Sequence, residues 1–334
     1  MKAFIVDRYG SAGADLRAGE MPEPEVREHD VLVQIHAAGV NALDAKIRDG
    51  EFKLFLRYGL PFVLGNDVAG VVVAVGAGVR RFEPGDEVYA RPDKDRIGTF
   101  AEYISIHEDD LAPKPTRLTM EEAATIPLVG LTAWQALIEI ADLQQGQKVF
   151  IQAGSGGVGT FAIQLAKHLG ATVATTTSAA NTDLVKRLGA DVVIDYRQDD
   201  FEAVLHDYDV VVNSQDNATL EKSLRVLKPG GKLISISGPP DPAFAREIGK
   251  PWILRPATRV LSHRIRKAAE RRRVSYSFLF MRADGAQLRE ITSLVDAGII
   301  RPVLDRVFPF ESTNDAMAYV EKGRAKGKVA VKVR

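Results

Sequence analysis

The sequence of 334 residues contains no cysteine. Disulfide bridges, zinc sites built on thiolates and cysteine nucleophiles are therefore excluded. The six histidines are scattered, and none has a second histidine at a metal-ligand spacing such as H-x-x-x-H. The sequence also has no G-x-S-x-G elbow, and no tyrosine is followed four residues later by lysine. It therefore does not indicate a serine hydrolase or the proton donor of short-chain reductases.

Net charge is also missing, because 44 basic residues balance 44 acidic ones. No overall field favours nucleic acid or an anionic membrane, and we expect neither as a partner. No apolar run is expected to reach the roughly 20 residues that a membrane-spanning helix needs. The N-terminus, MKAFIVDRYG, lacks the apolar core of a signal peptide and is predicted to be a strand. These features predict a soluble, cytoplasmic protein.

The most informative segment covers residues 147–170 and has the sequence QKVFIQAGSGGVGTFAIQLAKHLG. A short apolar run leads into a glycine-rich turn, and Phe161, Leu165 and Leu169 then recur every fourth residue. This pattern predicts a strand, a tight turn and a helix with one apolar face, and Gly170 can end the helix. In that setting the G-x-G-x-x-G pattern predicts dinucleotide binding.

Each glycine of the turn has a predicted task. Gly154 makes the sharp turn, Gly156 lets the backbone approach a pyrophosphate, and Gly159 lets the helix pack closely on the strand. The N–H groups at the helix start then face the phosphates. The predicted cofactor-binding residues of the turn are Gly154, Ser155, Gly156, Gly157, Val158 and Gly159.

The second strand of this fold indicates which dinucleotide is bound. NAD-dependent enzymes usually end that strand in Asp or Glu, which binds the ribose 2′-hydroxyl. Here the segment 175–181 has the sequence TTTSAAN, without an acid. The hydroxyls of Thr177 and Ser178 and the amide of Asn181 tolerate a 2′-phosphate, so we predict NADP(H). Residues 178–181 could alternatively only cap the next helix, and both roles could hold.

The chain divides into two predicted domains of the α/β class. Residues 1–125 contain short strands at 2–7, 31–37, 68–75, 87–90 and 100–106, with one helical patch at 43–49. A broken helical stretch at 121–140 follows, and strands and helices then alternate, which predicts a parallel sheet covered by helices. Predicted strands lie at 171–176, 191–195, 209–214, 232–237 and 275–281, and predicted helices at 183–188, 201–205 and 218–227.

The last fifty residues are predicted to return to the first domain. They contain a helix at 287–295, a strand at 303–308, a helix with Ser312 as N-cap and Asp315 three residues on, and a strand at 328–333. We therefore predict a mostly β substrate domain of residues 1–125, completed by 283–334, and a dinucleotide-binding domain of residues 126–282.

A basic stretch occupies residues 250–273. Apolar residues alternate with its arginines, and we expect them to form the inward face of a helix. The simplest interpretation is a solvated face backed by a packed one, and a phosphate or partner site is the alternative. The apolar residues in question are Trp252, Ile253, Leu254, Val260, Leu261 and Ile265.

Several further segments, taken together along essentially the whole chain, resemble the medium-chain dehydrogenase/reductase superfamily and in particular its zinc-free quinone oxidoreductases. Besides the glycine turn they are AGVNALD at 38–44, LGNDVAG at 64–70, PGDEV at 84–88, LTA at 131–133, LGAD at 188–191, VIDY at 193–196 and KPGG at 228–231. The resemblance implies a GroES-like substrate domain, a doubly wound Rossmann domain and an active site in the cleft between them. Zinc-dependent relatives have cysteine where Asn41 stands and histidine where Asn66 stands, so both ligands are replaced.

The resemblance also implies roles for individual residues. Asn41 and Asp44 would line the nicotinamide end of the site, and Thr132 would hydrogen-bond the cofactor. Tyr58, in a segment at 55–58 expected to cap the site, is the candidate proton donor. The remaining implied cofactor contacts are Ser178 and Tyr196 at the adenosine 2′-phosphate, Ser237 and Gly238 beside the ribose and nicotinamide, the backbone of Phe278, Leu279 and Phe280 at the carboxamide, and Lys328 closing over the cofactor.

The expected reaction is hydride transfer from NADPH to a quinone, or to the activated C=C of an α,β-unsaturated carbonyl compound, without a metal. Because several quinone reductases have lysine where Asn181 stands, the preference for NADPH is expected to be weaker than in those relatives. Two other functions stay open: a non-catalytic NADPH sensor or nucleic-acid-associated protein, and, less favoured, a metal-free alcohol dehydrogenase. A homodimer is expected by analogy.

Overall fold

Short strands rich in valine and isoleucine build the first part of the chain, because branched side chains favour extended backbone. The computed structural model describes residues 1–10, 15–53, 56, 58–249 and 251–334. The N-terminal elements are β1 (Lys2–Val6), β2 (Arg17–Glu20), β3 (Asp30–Val40), α1 (Ala42–Arg48), β4 (Phe62–Val63), β5 (Asp67–Val75), β6 (Glu87–Ala90), β7 (Tyr103–His107), β8 (Leu111–Pro113), α2 (Met120–Ala123) and α3 (Pro127–Trp134), which a π-helical stretch, Gln135–Ile140, extends.

Strands and helices then alternate as the sequence predicts. The elements are β9 (Lys148–Ile151), α4 (Gly157–His168), β10 (Thr172–Thr177), α5 (Thr182–Arg187), β11 (Val192–Asp195), α6 (Phe201–Val204), β12 (Tyr208–Asn213), α7 (Asn217–Val226), β13 (Leu227–Ser235), α8 (Pro242–Glu247), α9 (Pro251–Leu261), α10 (His263–Arg271) and β14 (Ser275–Phe278). The C-terminal elements are α11 (Gly285–Asp296), β15 (Leu304–Pro309), α12 (Thr313–Glu321) and β16 (Lys328–Lys332).

These elements form two compact units. The first unit is Met1–Leu131 with Arg282–Arg334, and the second unit is Thr132–Met281. We expected the boundaries after residues 125 and 282, so the first lies six residues later and the second one residue earlier.

The first unit contains two sheets. A three-stranded sheet has the order β2-β1-β4, and a larger sheet has the order β15-β16-β3-β5-β6-β8, with β7 also paired to β3. The C-terminal strand β16 lies antiparallel to β3 and parallel to β15. Valine and isoleucine side chains of β3, β5 and β7 are buried together as one core.

The second unit is a six-stranded parallel sheet with the order β11-β10-β9-β12-β13-β14. Counted from β9, this is the order 3-2-1-4-5-6 of a doubly wound dinucleotide-binding sheet. Apolar side chains of its strands, such as Phe150, Val211 and Leu233, pack against α7 and α10. The predicted α/β fold class is confirmed, with a mostly β first unit and a doubly wound second unit.

Several details differ from the sequence predictions. The short strands β2, β4 and β8 and the helix α8 have too little periodic pattern to be predicted. Ser312 precedes α12, but its side chain forms no capping hydrogen bond, because a short 3₁₀ helix, Phe310–Ser312, leads into the helix. The hydroxyl of Thr313 instead donates to the Phe310 carbonyl oxygen over 2.6 Å.

The prediction that the apolar residues of the basic stretch face inward is largely wrong. Trp252, Val260 and Leu261 are 82%, 76% and 55% exposed, whereas Ile265 is buried. Leu254 is half-buried, and the side chain of Ile253 lies outside the described residues. The helical period was right, but most of the apolar side chains on α9 point away from the unit.

One apolar run is longer than we expected. Met120–Ile140 spans 21 residues and is apolar enough to cross a membrane, by length and composition alone. The prediction that no run reaches this length is therefore wrong. Of the most apolar part of this segment, 72% is buried inside the protein. Buried core helices of soluble proteins have the same length and composition.

Candidate functional site

The glycine-rich turn joins β9 to α4 in a conformation that only small residues allow. Gly154 N donates to Thr176 O over 2.9 Å, and Gly156 N donates to Ala153 O over 2.9 Å. A Cβ on Gly154 would collide with the side chain of Thr175, and one on Gly159 would collide with the backbone of Ala153 and Gly154. Packing therefore requires glycine at both positions: Gly154 lies against Thr175 of β10, and Gly159 lies against the backbone of the turn.

The start of α4 fits a phosphate group. The first hydrogen bond of the helix runs from Thr160 N to Gly156 O, so the N–H groups of its first residues have no acceptor within the helix. A Cβ on Gly156 would meet only Ala153 O, at 3.3 Å, so this side of the turn is open. Such a helix start, with its dipole, favours an anion, and the turn fits a dinucleotide pyrophosphate.

Polar side chains meet at the carboxyl end of β10, next to this turn. Thr177 Oγ1 and Ser155 Oγ are 2.9 Å apart, and Asn181 Nδ2 lies 3.2 Å from Ser155 Oγ and 3.4 Å from Ser178 Oγ. Asn181 Oδ1 is buried and has no hydrogen-bond partner among the described residues. The structure thus brings four sequence-predicted residues together, with an unused polar atom.

The neighbouring strand adds a cation that the sequence analysis missed. Tyr196 follows β11 and is 59% exposed, and its backbone N–H donates to Thr177 O over 3.3 Å. The guanidinium of Arg197 lies 5.7 Å from the centroid of the Tyr196 ring. Arg197 is therefore positioned close to the end of β10. Its place directly after the tyrosine of the VIDY motif was the only available signal.

The ends of β13 and β14 hold the remaining residues predicted for the second unit. Ser237 Oγ donates to Gln215 O over 2.6 Å, and Gly238 N donates to Ser235 Oγ over 2.8 Å. The backbone N–H groups of Phe278 and Leu279 are bound within the unit, to Asp241 Oδ2 over 3.2 Å and to Ser235 O over 2.9 Å respectively. Phe280 lies beyond the end of β14 and packs its ring 5.7 Å from that of Phe244. Thr132, at the start of the unit, is buried in α3.

In the first unit, five polar side chains form a buried cluster. Its members are Asn41, Asp44, Asn66, Asp67 and Lys328, each at most 6% exposed. Asn41 directly follows β3 and Asn66 directly precedes β5, whereas the other three lie in α1, β5 and β16. Asn41, Asp44 and Lys328 are among the site residues predicted from the sequence, whereas Asp67, at the centre of the cluster, is not.

Asp67 connects the cluster. Its Oδ2 accepts hydrogen bonds from Asn41 Nδ2 over 2.9 Å and from Lys328 Nζ over 3.1 Å. Its Oδ1 accepts from Leu128 N over 2.7 Å. Lys328 Nζ also donates to Val40 O over 3.1 Å and to Asn41 Oδ1. The ammonium and the carboxylate thus satisfy each other in a place without water access, which is the condition for a buried ion pair to be tolerated.

Asp44 forms the other half of the cluster. Its Oδ1 accepts from Asn66 Nδ2 over 2.6 Å, and its Oδ2 accepts from Asn41 N over 2.7 Å. Burial raises the pKa of Asp44 from its ordinary value to about 7, against the opposing effect of its hydrogen bonds and of Lys328. Asn66 Oδ1 has no partner among the described residues. Asp44 is therefore a carboxyl group that exchanges its proton near neutral pH.

Tyr58 lies in the same unit but outside this cluster. Its hydroxyl donates to Lys94 O over 2.7 Å, and its ring packs 4.8 Å from that of Phe62. Burial raises the pKa of Tyr58, so the phenol keeps its proton at neutral pH. The segment 55–58 expected to cap the site lies partly outside the described residues.

The cluster does not form a metal site. Among the described residues, no group of three or more His, Cys, Asp or Glu side chains could hold a metal ion. Asn41 and Asn66, which the family resemblance aligns with the ligands of zinc-dependent relatives, are hydrogen-bonded to Asp67 and Asp44 respectively.

A GroES-like unit with a buried polar cluster and a Rossmann unit with a pyrophosphate-fitting turn define the class of two-domain, nucleotide-dependent oxidoreductases. Comparison with known families agrees. Residues 27–116 match the alcohol dehydrogenase GroES-like domain, and residues 188–331 match the zinc-binding dehydrogenase family.

The curated relatives cover the whole chain. The mitochondrial NAD(P)H oxidoreductase RTN4IP1 of Mus musculus is 34% identical, over 100% of this chain and 89% of its own. The chloroplastic NADPH-dependent alkenal/one oxidoreductase of Arabidopsis thaliana is 34% identical, over 99% and 79%. The structure of a quinone oxidoreductase from Coxiella burnetii superposes with a TM-score of 0.88 at 31% identity, covering 100% and 99%. The chain therefore belongs to the medium-chain dehydrogenase/reductase superfamily, in its quinone oxidoreductase type.

Proposed function

We propose that this protein is an NADPH-dependent oxidoreductase that transfers hydride, without a metal ion, to quinones or to the activated C=C of α,β-unsaturated carbonyl compounds. The observation that carries the proposal is the combination of a pyrophosphate-fitting turn with asparagines at both positions where zinc-dependent relatives have ligands. Without a metal to polarise it, the substrate must already be electron-poor. Relatives named as quinone and alkenal/one oxidoreductases support this substrate class.

The second unit supplies the proposed cofactor site. The turn 154–159 would hold the pyrophosphate. The nicotinamide end would be held by Thr132, Ser237, Gly238 and the backbone of 278–280. When bound, the cofactor supplies a hydride from nicotinamide C4. Hydroxyls and amides at the end of β10, without a carboxylate there, leave room for a 2′-phosphate. Several quinone reductases have a lysine where this chain has Asn181. We propose that Arg197, together with Tyr196, takes over the role of that lysine, so that NADPH is preferred to NADH.

The first unit supplies the proposed polar surroundings of the reaction. Negative charge develops on the substrate oxygen and needs an N–H or O–H donor. The amide of Asn41 is a candidate, and its use would require release of the bond to Asp67 Oδ2. Asp44 and Tyr58 both hold protons near neutral pH. To donate its proton to the substrate, Tyr58 would have to break its hydrogen bond to the Lys94 carbonyl oxygen. Lys328 fixes the orientation of Asn41 through its carbonyl oxygen.

The test is consumption of NADPH and NADH, side by side, with a panel of quinones, enones, alkenals and simple alcohols. We expect turnover with quinones or enones, faster with NADPH, and none with alcohols. Binding of NADPH without consumption on any acceptor would favour a sensor. Alcohol oxidation as the main activity would contradict the proposed reaction.

A variant at the buried cluster tests the catalytic assignment. Asn41→Ala removes the proposed donor and is expected to reduce turnover with a quinone, while NADPH affinity changes little. Unchanged turnover would exclude Asn41 from the mechanism. A cytoplasmic location and a homodimer also belong to the proposal, and light scattering on the purified protein measures the oligomeric state directly.

A further inference from the structure

Helix α9 presents three large apolar side chains to solvent, whereas α6 of the same unit presents one, Val204. Trp252 and Val260 are 82% and 76% exposed, and Leu261 is 55% exposed. Trp252, Pro256 and Val260 are spaced by four residues, so they lie along one stripe of the helix. The opposite side is the packed one, where Thr258 and Ser262 are buried and Ser262 Oγ donates to Thr258 O over 2.7 Å.

Arginines border this stripe. Arg255 and Arg259 lie three and seven residues after Trp252, which places them on the adjacent stripe. Both are exposed, and neither forms an ion pair with any residue that the structure describes. The helix therefore carries an apolar stripe and a cationic stripe side by side, both facing solvent.

The positive charge continues into α10. Residues 251–273 contain eight basic side chains and a single acidic one, Glu270. Of these cations only Arg264 forms an ion pair in the described chain, with Glu221 at 2.9 Å. The zero net charge of the whole chain thus conceals a strongly cationic segment.

This segment is attached firmly to the second unit. Ile265 and Ala269 of α10 are buried in the core cluster that includes Phe201 and Leu233. Helix α10 packs against α7 and β14, and α9 packs against α8. A ligand bound to α9 would therefore be held by the folded unit.

We propose that α9 and α10 form a docking surface for an anionic lipid bilayer. A helix with Trp and aliphatic side chains on one stripe and arginines beside it is suited to lie in the membrane interface. Charge complementarity favours this occupant over a second copy of the chain, since a two-fold interface would bring the two arginine arrays together. It is also favoured over single-stranded RNA, because Val260 and Leu261 are aliphatic and cannot stack on bases.

The surface lies within the second unit and does not depend on the proposed reaction. Its test therefore measures binding and not turnover, so that failure of one proposal leaves the other standing. From the zero net charge we expected no membrane partner. The docking surface on α9 and α10 replaces that expectation.

The experiment is sedimentation of the full-length protein with phosphatidylcholine vesicles, with and without phosphatidylglycerol. We expect binding only to the anionic vesicles, weakened by salt. Arg255→Gln and Arg259→Gln should each weaken binding about fivefold, the effect of about 1 kcal/mol per arginine at a membrane surface. Trp252→Ser and Val260→Ser should also weaken it. The control pair Lys322→Gln and Arg324→Gln, exposed cations in the first unit, should bind as the wild type does.

Tryptophan emission gives a second measurement. Anionic vesicles should shift the emission to the blue, and the shift should vanish in Trp252→Phe, whose only tryptophan is the half-buried Trp134. No binding to either vesicle, or equal binding of the α9 variants and the control pair, would overturn the proposal. So would salt-sensitive capture of single-stranded RNA without vesicle binding. Thermal unfolding checks that each variant is folded, which surface substitutions should not change.

Discussion

Asp44 is a carboxyl group without access to water, held by Asn66 and by the backbone of Asn41. In water it would ionise near pH 4, but burial raises its pKa to about 7. The cluster thus keeps a proton-exchanging carboxyl group next to Asn41 and Asn66. Its effect on stability has a definite sign.

The folded state binds the Asp44 proton up to about pH 7, whereas the unfolded state releases it above the ordinary aspartate pKa of 3.8. The contribution of Asp44 to the free energy of unfolding is therefore fully present below pH 3.8 and is lost as pH rises through 7. Between these values stability should fall by up to about 1.4 kcal/mol per pH unit. Denaturant unfolding between pH 4.5 and 8 measures this slope.

The variant Asp44→Asn should lose that slope. It should also be less stable than the wild type at low pH, because its side-chain NH2 group would face one of the two N–H donors that Asp44 now accepts. Asp183→Asn, at an exposed carboxylate on α5, should unfold with the pH dependence of the wild type. If the stability of the wild type and of Asp44→Asn has the same pH dependence, Asp44 does not carry a proton in the folded state in this pH range.

Arg197 gives a prediction on cofactor choice. Substitution by glutamine removes the cation closest to Tyr196 and should raise the KM for NADPH about tenfold, the loss expected for one hydrogen bond to a charged group. The KM for NADH, which has no 2′-phosphate, should stay the same. Steady-state kinetics with both cofactors, beside Arg187→Gln as an exposed control, measure the difference. Equal effects on both cofactors would show that Arg197 does not distinguish them.

At the scale of elements, Lys328 joins β16 to the end of β3 and to β5. Its ammonium pairs with the buried carboxylate of Asp67. Lys328→Met keeps the length of the side chain but leaves a buried carboxylate without its cation. We expect a loss of about 3–5 kcal/mol in the free energy of unfolding.

The same strand offers the matched control. Lys332 pairs with Glu121 at 3.2 Å, with its own side chain 56% exposed. Lys332→Met should cost less than about 1 kcal/mol, because exposed ion pairs contribute little. Similar losses for the two variants, measured in urea, would mean that burial does not govern the Lys328 pair.

The elements also show what a sequence can predict. The turn 154–159 is local, since its strand, glycines and helix lie within about two dozen residues, so periodicity and glycine spacing identified it. The buried cluster pairs Asn41 with Asp67 and Lys328, residues that only the folded sheet brings together. No local pattern marks Asp67 as its centre. Family resemblance, not spacing, brought Asn41, Asp44 and Lys328 into consideration.

Helix α9 illustrates a different limit. Periodicity correctly grouped its apolar residues on a helix, but it does not say whether a face points to the core or to solvent. The prediction of an inward face assumed burial as the default. Trp252 and Val260 broke that assumption, because the opposite side, with Thr258 and Ser262, supplies the packing.

At the scale of the whole molecule, the structure predicts indifference to chelators. Neither Asn41 nor Asn66 is a ligand that zinc favours, and the described residues contain no cluster of metal-binding side chains. Dialysis against a chelator should therefore leave the thermal unfolding midpoint and the turnover unchanged. A zinc-dependent alcohol dehydrogenase treated in parallel should lose activity. Stoichiometric zinc in the purified protein would contradict the proposed metal-free site.

The position of β16 has a consequence for synthesis on the ribosome. This strand, Lys328–Lys332, lies between β15 and β3 in the large sheet, and its Lys328 reaches the carbonyl of Val40, 288 residues earlier. A nascent chain therefore leaves residues 37–40 of β3 without this partner strand until β16 has been translated. The second unit, complete at Met281, can fold before the first unit can close, which reverses the usual N-to-C order of domain folding.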